Sequence, residues 1–170
     1  LTEGALQRLR KNPRIIPEVA PFYEIVRRQI DLEKPEVKNV QGEYSDHARK
    51  IPLLNFEAIT APEFIKHRYR KIKQTSFFEH TVMPFHDPNL LLVTPDQGTE
   101  VYMTYNARDK YSVVVAGMTN EKSFAVVLES IARKVSELGM AYVEVIIEAY
   151  SPAIQRDALD ARFIHSAYFP

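Results

Sequence analysis

Residues 111–170 read YSVVVAGMTN EKSFAVVLES IARKVSELGM AYVEVIIEAY SPAIQRDALD ARFIHSAYFP. A strand is expected over 110–117, and within it 111–116 are nearly continuously apolar, the pattern of a central strand covered on both faces. Asn120 can cap the helix that follows, Glu121 falls in its first turn, and Gly139 can supply the left-handed terminator. Phe124, Val127, Ile131, Val135 and Leu138 recur at helical spacing and mark its buried stripe. Residues 142–149 alternate, with Val143, Val145 and Ile147 on one face and Glu144, Ile146 and Glu148 on the other, which predicts a strand. Ser151-Pro152 starts a second helix reaching about Arg162 by the cap-plus-proline rule. Residues 163–169 predict a last short strand. A strand–helix–strand unit with tight connections requires parallel pairing of its two strands.

Upstream, strands are expected over 89–94 and 100–106. Pro95-Asp96-Gln97-Gly98 and Ala107-Arg108-Asp109 are the turns of an antiparallel meander that ends in the central strand. Thr60-Ala61-Pro62-Glu63 is a capping box with proline just inside the helix start. The helix it opens, 62–73, has an apolar stripe of Phe64, Ile65, Tyr69 and Ile72. It also carries Lys66, His67, Arg68, Arg70, Lys71 and Lys73, which read either as a phosphate-binding patch or as a solvated face around the stripe. A short strand is expected over 51–56. Nearer the start, Pro13 and Pro17 bracket a turn, and Pro21 opens a helix to Leu32 with Phe22, Ile25, Val26 and Ile30 on its stripe. Residues 33–50 are polar and aperiodic and predict a long loop. The predicted class is α+β, one domain over 1–170 with a mixed central sheet flanked by helices. Its first part, 1–80, is helical and irregular, and 81–170 hold the sheet core with two helices.

The composition narrows the chemistry. Of 170 residues, 45% are hydrophobic and 26% charged, an ordinary globular profile. Lys plus Arg balance Asp plus Glu at 22 each, so no long-range field favours a nucleic acid partner. The absence of Cys excludes disulfides, thiolate catalysis and Cys-based metal sites. No apolar run approaches the roughly 18 residues of a membrane span, so no membrane partner is expected and a cytoplasmic setting agrees with the composition. The oligomeric state is left open, a homo-oligomer included.

The element order over 89–170 resembles the GNAT acyltransferase core: antiparallel strands, a central strand, a cofactor helix, a parallel strand, a second helix and a final strand. The closest local likeness is Ser151-Pro-Ala-Ile-Gln-Arg-Asp-Ala-Leu-Asp-Ala-Arg-Phe163, where the family commonly has an Asn start and a Gly-Phe ending. The resemblance implies an acyl-CoA cofactor held by the backbone of Ala116, Gly117 and Met118 and by the helix start at Asn120, Lys122 and Ser123. It also marks two departures. The family's Q/R-x-x-G-x-G/A loop aligns with Thr119, Lys122 and Phe124, so its glycines are missing, although Lys122 can supply a phosphate-binding cation. The Tyr that protonates the departing thiolate aligns with Ala158.

Glu148 and Glu144 are the candidate general bases for an amine substrate, since a desolvated strand carboxylate gains proton affinity. Tyr150, Ser151 and Gln155 adjoin Glu148 and can position a substrate; Ser151 can equally serve as a helix cap. Phe78, His80, Phe85 and His86 suggest a small-molecule cleft, apolar with a few polar groups. The spacing of the two His fits no standard metal-ligand pattern, so no metal is expected. Two functions remain in view. One is a GNAT-like N-acyltransferase moving an acyl group from acyl-CoA to an amine. The other is a non-catalytic module of that fold binding a small ligand or a protein partner.

Overall fold

The computed structural model describes residues 13–41, 52–74 and 87–166. The class is α+β, with a five-stranded mixed sheet flanked by helices and a separate small parallel pair. Two compact units are present, one within Leu1–Arg49 and Ile147–Pro170, the other within Lys50–Ile146.

The larger unit holds β3 (Glu57–Ile59), α2 (Pro62–Gln74), β4 (Leu90–Val93), β5 (Thr99–Asn106), β6 (Tyr111–Thr119), α3 (Phe124–Glu137) and β7 (Tyr142–Glu144). The sheet order follows the chain, β3-β4-β5-β6-β7. The first four strands pair antiparallel, and β7 returns parallel to β6 after the α3 crossover, as the strand–helix–strand pattern requires. Both turns of the meander are built by their own side chains. Asp96 accepts the Gly98 N–H at 3.1 Å, and Asn106 accepts those of Arg108 and Asp109. The expected strand over 51–56 is displaced. Pairing occurs at Glu57–Ile59, while the Leu54 backbone bonds Ser130 Oγ at 2.9 Å and Arg133 at 3.1 Å on α3.

α3 buries Ala125, Val126, Val127, Leu128, Ser130, Ile131 and Val135, a broader face than the predicted stripe. Phe124 and Leu138 are only half-buried, because they are the end positions of the helix. The cap is Ser123 rather than Asn120, so the first turn starts later than the sequence suggests. The far end matches expectation: Gly139 takes φ 83°, with Gly139 N–H on the Ser136 carbonyl and Met140 N–H on that of Val135, a Schellman closure. Among the described side chains of α2, Ile65 and Tyr69, one turn apart, join the core of Leu91, Tyr102, Val115 and Ala116, and Phe64 stays 50% exposed.

The smaller unit pairs β1 (Arg14–Ile15) in parallel with β2 (Glu36–Val37), so both the predicted proline turn and the predicted loop contain strand. In α1 (Ala20–Ile30) the buried ring is Tyr23, one turn beyond Val19 and packed with Ile15 and Ile16. Ile25, placed on the stripe by its spacing, is 60% exposed, and Ile30 is exposed as well. The core sets the phase from Val19 and Tyr23 instead. Tyr23 Oη donates to the Glu33 carbonyl at 2.7 Å, which closes the loop after the helix.

α4 (Pro152–Asp160) starts at the expected cap. Gln155, read as a substrate group, is a buried brace instead. It accepts the Ile16 N–H at 3.1 Å and donates to the carbonyls of Arg14 and Glu148. Gln155→Ala would remove the Gln155 partner of the Ile16 N–H and of the Arg14 carbonyl and leave the Glu148 carbonyl only its Ser151 bond, and is expected to cost about 2–3 kcal/mol. Urea denaturation checks this. Arg162 adopts φ 65°, the left-handed conformation that a glycine takes at no cost. Residues 163–166 follow without strand pairing, and the rest of the predicted last strand lies outside the described residues.

His165 stacks edge-on against Phe22 at 4.5 Å, with Nε2 buried and without a hydrogen-bond partner. Burial pushes its pKa down from 6.5. A His that stays neutral when folded protonates first in the unfolded chain. Its contribution is therefore complete above about pH 6.5 and declines as pH falls from there to the folded pKa. Thermal melts between pH 7.5 and 5 are expected to show this acid loss, and His165→Phe to flatten it.

Candidate active site

β6 is longer than its parallel neighbour. β7 pairs only with Tyr111, Ser112 and Val113, and ends at Glu144 opposite Val113. Residues 114–119 continue β6 with no strand paired on that side among the described residues. The β5 register shifts between Tyr102↔Ala116 and Met103↔Val114, which makes Val115 the extra residue of a β-bulge. A bulge bends and twists its strand. It lies just past the point where the two strands part.

Beyond that point Ala116 is buried, Met118 half-buried and Gly117 exposed, so the strand edge carries no side chain at Gly117. The loop after β6 is tied to β5. Thr119 Oγ1 bonds Thr99 Oγ1 at 2.8 Å and accepts the Glu121 N–H, while Asn120 N–H donates to the Gly98 carbonyl. Asn120 and Lys122 are exposed. Ser123 sits at the N-cap without capping, and its buried hydroxyl has no hydrogen-bond partner. A first turn that its own cap does not claim presents N–H groups and the positive end of the helix dipole to an anion.

At the closed end, Tyr111 Oη donates to Glu144 Oε2 at 2.8 Å, and its ring stacks on Tyr142 at 5.5 Å with the planes 15° apart. Burial first, and the Glu144 carboxylate second, push the Tyr111 phenol up to about 12, so it stays a neutral donor. Ser112 Oγ donates to the Tyr142 carbonyl at 3.2 Å and helps hold the parallel pair.

The strand predicted over 142–149 stops at Glu144, so Glu144 and Glu148 do not share one strand face. The parallel edge runs out once the bulge turns β6 aside. Glu148, Tyr150 and Ser151 belong to the smaller unit. There the Glu148 carbonyl accepts the Ser151 N–H and the Gln155 amide, and Ser151 occupies the α4 N-cap without a capping bond. Burial, then the Glu148 charge, raises the Tyr150 pKa. Ala158, at the position of the family Tyr, is buried on α4. Phe78, His80, Phe85 and His86 lie outside the described residues. No group of three His, Cys, Asp or Glu able to hold a metal occurs among the described residues, and no described helix is long and apolar enough to cross a membrane.

A buried ionic network went unread in the sequence. Glu100, 1% exposed on β5, accepts Arg68 Nε at 3.0 Å, a second Arg68 nitrogen, and Tyr102 Oη at 2.8 Å. Burial alone would raise the Glu100 pKa, but the Arg68 and Tyr102 bonds outweigh it and hold the carboxyl below its usual range. The signal was available: Arg68 lies three residues after Ile65 and next to Tyr69, beside the apolar stripe rather than opposite it. Lys66 is paired too, with the exposed Asp87 at 2.9 Å, so two cations of the basic run have acidic partners.

No protein-family model, curated protein or solved structure matches this chain.

Proposed function

We propose that the chain is a GNAT-like N-acyltransferase that moves an acyl group from acyl-CoA to an amine. The observation that carries this reading is the parting of β6 from β7 after Val113, with residues 114–119 paired to no strand on that side among the described residues. A bare strand edge binds an extended, amide-bearing chain as an added strand. The pantetheine arm of CoA is such a chain. Its phosphates would meet the α3 N-terminus at Ser123, with Lys122 supplying the cation in place of the missing glycines. With its phosphates held at Ser123, the thioester end of the arm would reach toward Glu144.

There the amine nitrogen attacks the thioester carbonyl, forming the C–N bond. Glu144 takes the amine proton and the C–S bond breaks. The released thiolate takes a proton from solvent. The bulge at Val115 leaves backbone outside the β5 ladder, where an N–H can meet the developing oxyanion. Glu144 is preferred to Glu148 because it ends the parallel strand, the usual ligand end of such sheets.

Calorimetry with acetyl-CoA, followed by thiol release on adding amines, tests the reading. Saturable binding and amine-dependent thiol release are expected. No heat at millimolar acetyl-CoA would overturn it, and binding without turnover would favour the non-catalytic module.

A further inference from the structure

The sheet edge beside Glu144 has a feature that proton transfer does not use. Tyr142 lies two residues before Glu144 on β7, and residues two apart on a strand share a face about 7 Å apart. The Tyr111 side chain joins them, stacking on Tyr142 and donating to Glu144. β7 is the edge strand of the sheet among the described residues, and Tyr142 is 51% exposed despite the stacking. One face thus presents a carboxylate and, one strand repeat away, an aromatic ring backed by a second. A carboxylate attracts an ammonium, and the open face of a phenol ring attracts another within about 6 Å of its centre.

We propose that Tyr142 selects acceptor amines with two cationic nitrogens, the reacting one at Glu144 and the second over the Tyr142 ring. This rests on the acyl-transfer reading. The ligand class is a short aliphatic diamine or the equivalent end of a longer polycation. An anionic far end meets no compensating cation from Tyr142, Tyr111 or Glu144 and is disfavoured.

n-Butylamine, 1,4-diaminobutane and 4-aminobutyrate share a four-carbon chain and differ at the far end. With the full chain and acetyl-CoA, KM is expected to be roughly two- to fivefold lower for the diamine than for butylamine, the range of an exposed cation–π contact. The aminobutyrate should be the poorest. Tyr142→Ala should bring the diamine-to-butylamine ratio close to one, and Tyr142→Phe should keep most of it. A ratio unchanged in Tyr142→Ala, or a preference for butylamine or aminobutyrate, overturns the proposal. Should none of the amines be acylated, the acyl-transfer reading fails instead. Titration of 1,4-diaminobutane into the protein, followed by the NMR shifts of its Tyr rings, then decides this one. Saturable shifts abolished by Tyr142→Ala support it, and their absence overturns it.

Discussion

Glu144→Gln is expected to lower kcat for acyl transfer by about 10²–10⁴-fold, the range in which a positioned general base contributes. The substitution is nearly isosteric. The Gln carbonyl oxygen can still accept Tyr111 Oη, so the β6–β7 corner keeps its main side-chain tie. What disappears is a group able to take the amine proton. Acetyl-CoA binding, which the reading assigns to residues 114–123, should change little. Rates of thiol release beside calorimetric affinities separate the two effects. Glu148→Gln should lose far less. A Glu144→Gln enzyme within tenfold of the parent would remove Glu144 from the base role.

Arg68→Ala is expected to destabilise the larger unit by about 3 kcal/mol. Removing one partner of a buried pair leaves an uncompensated charge, a loss of roughly 3–5 kcal/mol. The low end applies because Arg68 is itself partly exposed, so water can follow into the space it leaves. Glu100→Gln should cost less. Its amide still accepts from Tyr102 or Arg68, and the freed guanidinium can turn to solvent. Urea denaturation of both variants gives the comparison, and equal losses would mean that Glu100 is not desolvated.

The same pair has a pH signature. The Glu100 carboxyl is held below its ordinary 4.5, so its contribution is complete above that value and fades as pH falls toward the folded one. Arg68→Ala should flatten the acid limb.

The larger unit was largely legible in the chain. The apolar run over 111–116, the turn residues at 95–98 and 107–109, and Gly139 determined a meander, a crossover helix and parallel pairing. Each is a local or nearest-neighbour demand that the residues express themselves. Phases of half-buried helices were not legible. Ile25 and Phe64 have helical spacing, but Tyr23, Ile65 and Tyr69 find the core, since which stripe is buried depends on what lies opposite. The basic run on α2 was half legible for the same reason: Lys66 is a surface charge with an exposed partner in Asp87, whereas Arg68 looks like one until Glu100 on β5 supplies a buried partner. Glu144 and Glu148 alternate as one strand in sequence. Only the bulge at Val115 and the end of β7 at Glu144 separate them, because strand length is set by the neighbour that continues to pair. Element type was written in the sequence, whereas the buried ion pair, the place where β6 and β7 part, and the exposed ring of Tyr142 followed from contacts between residues far apart in the chain.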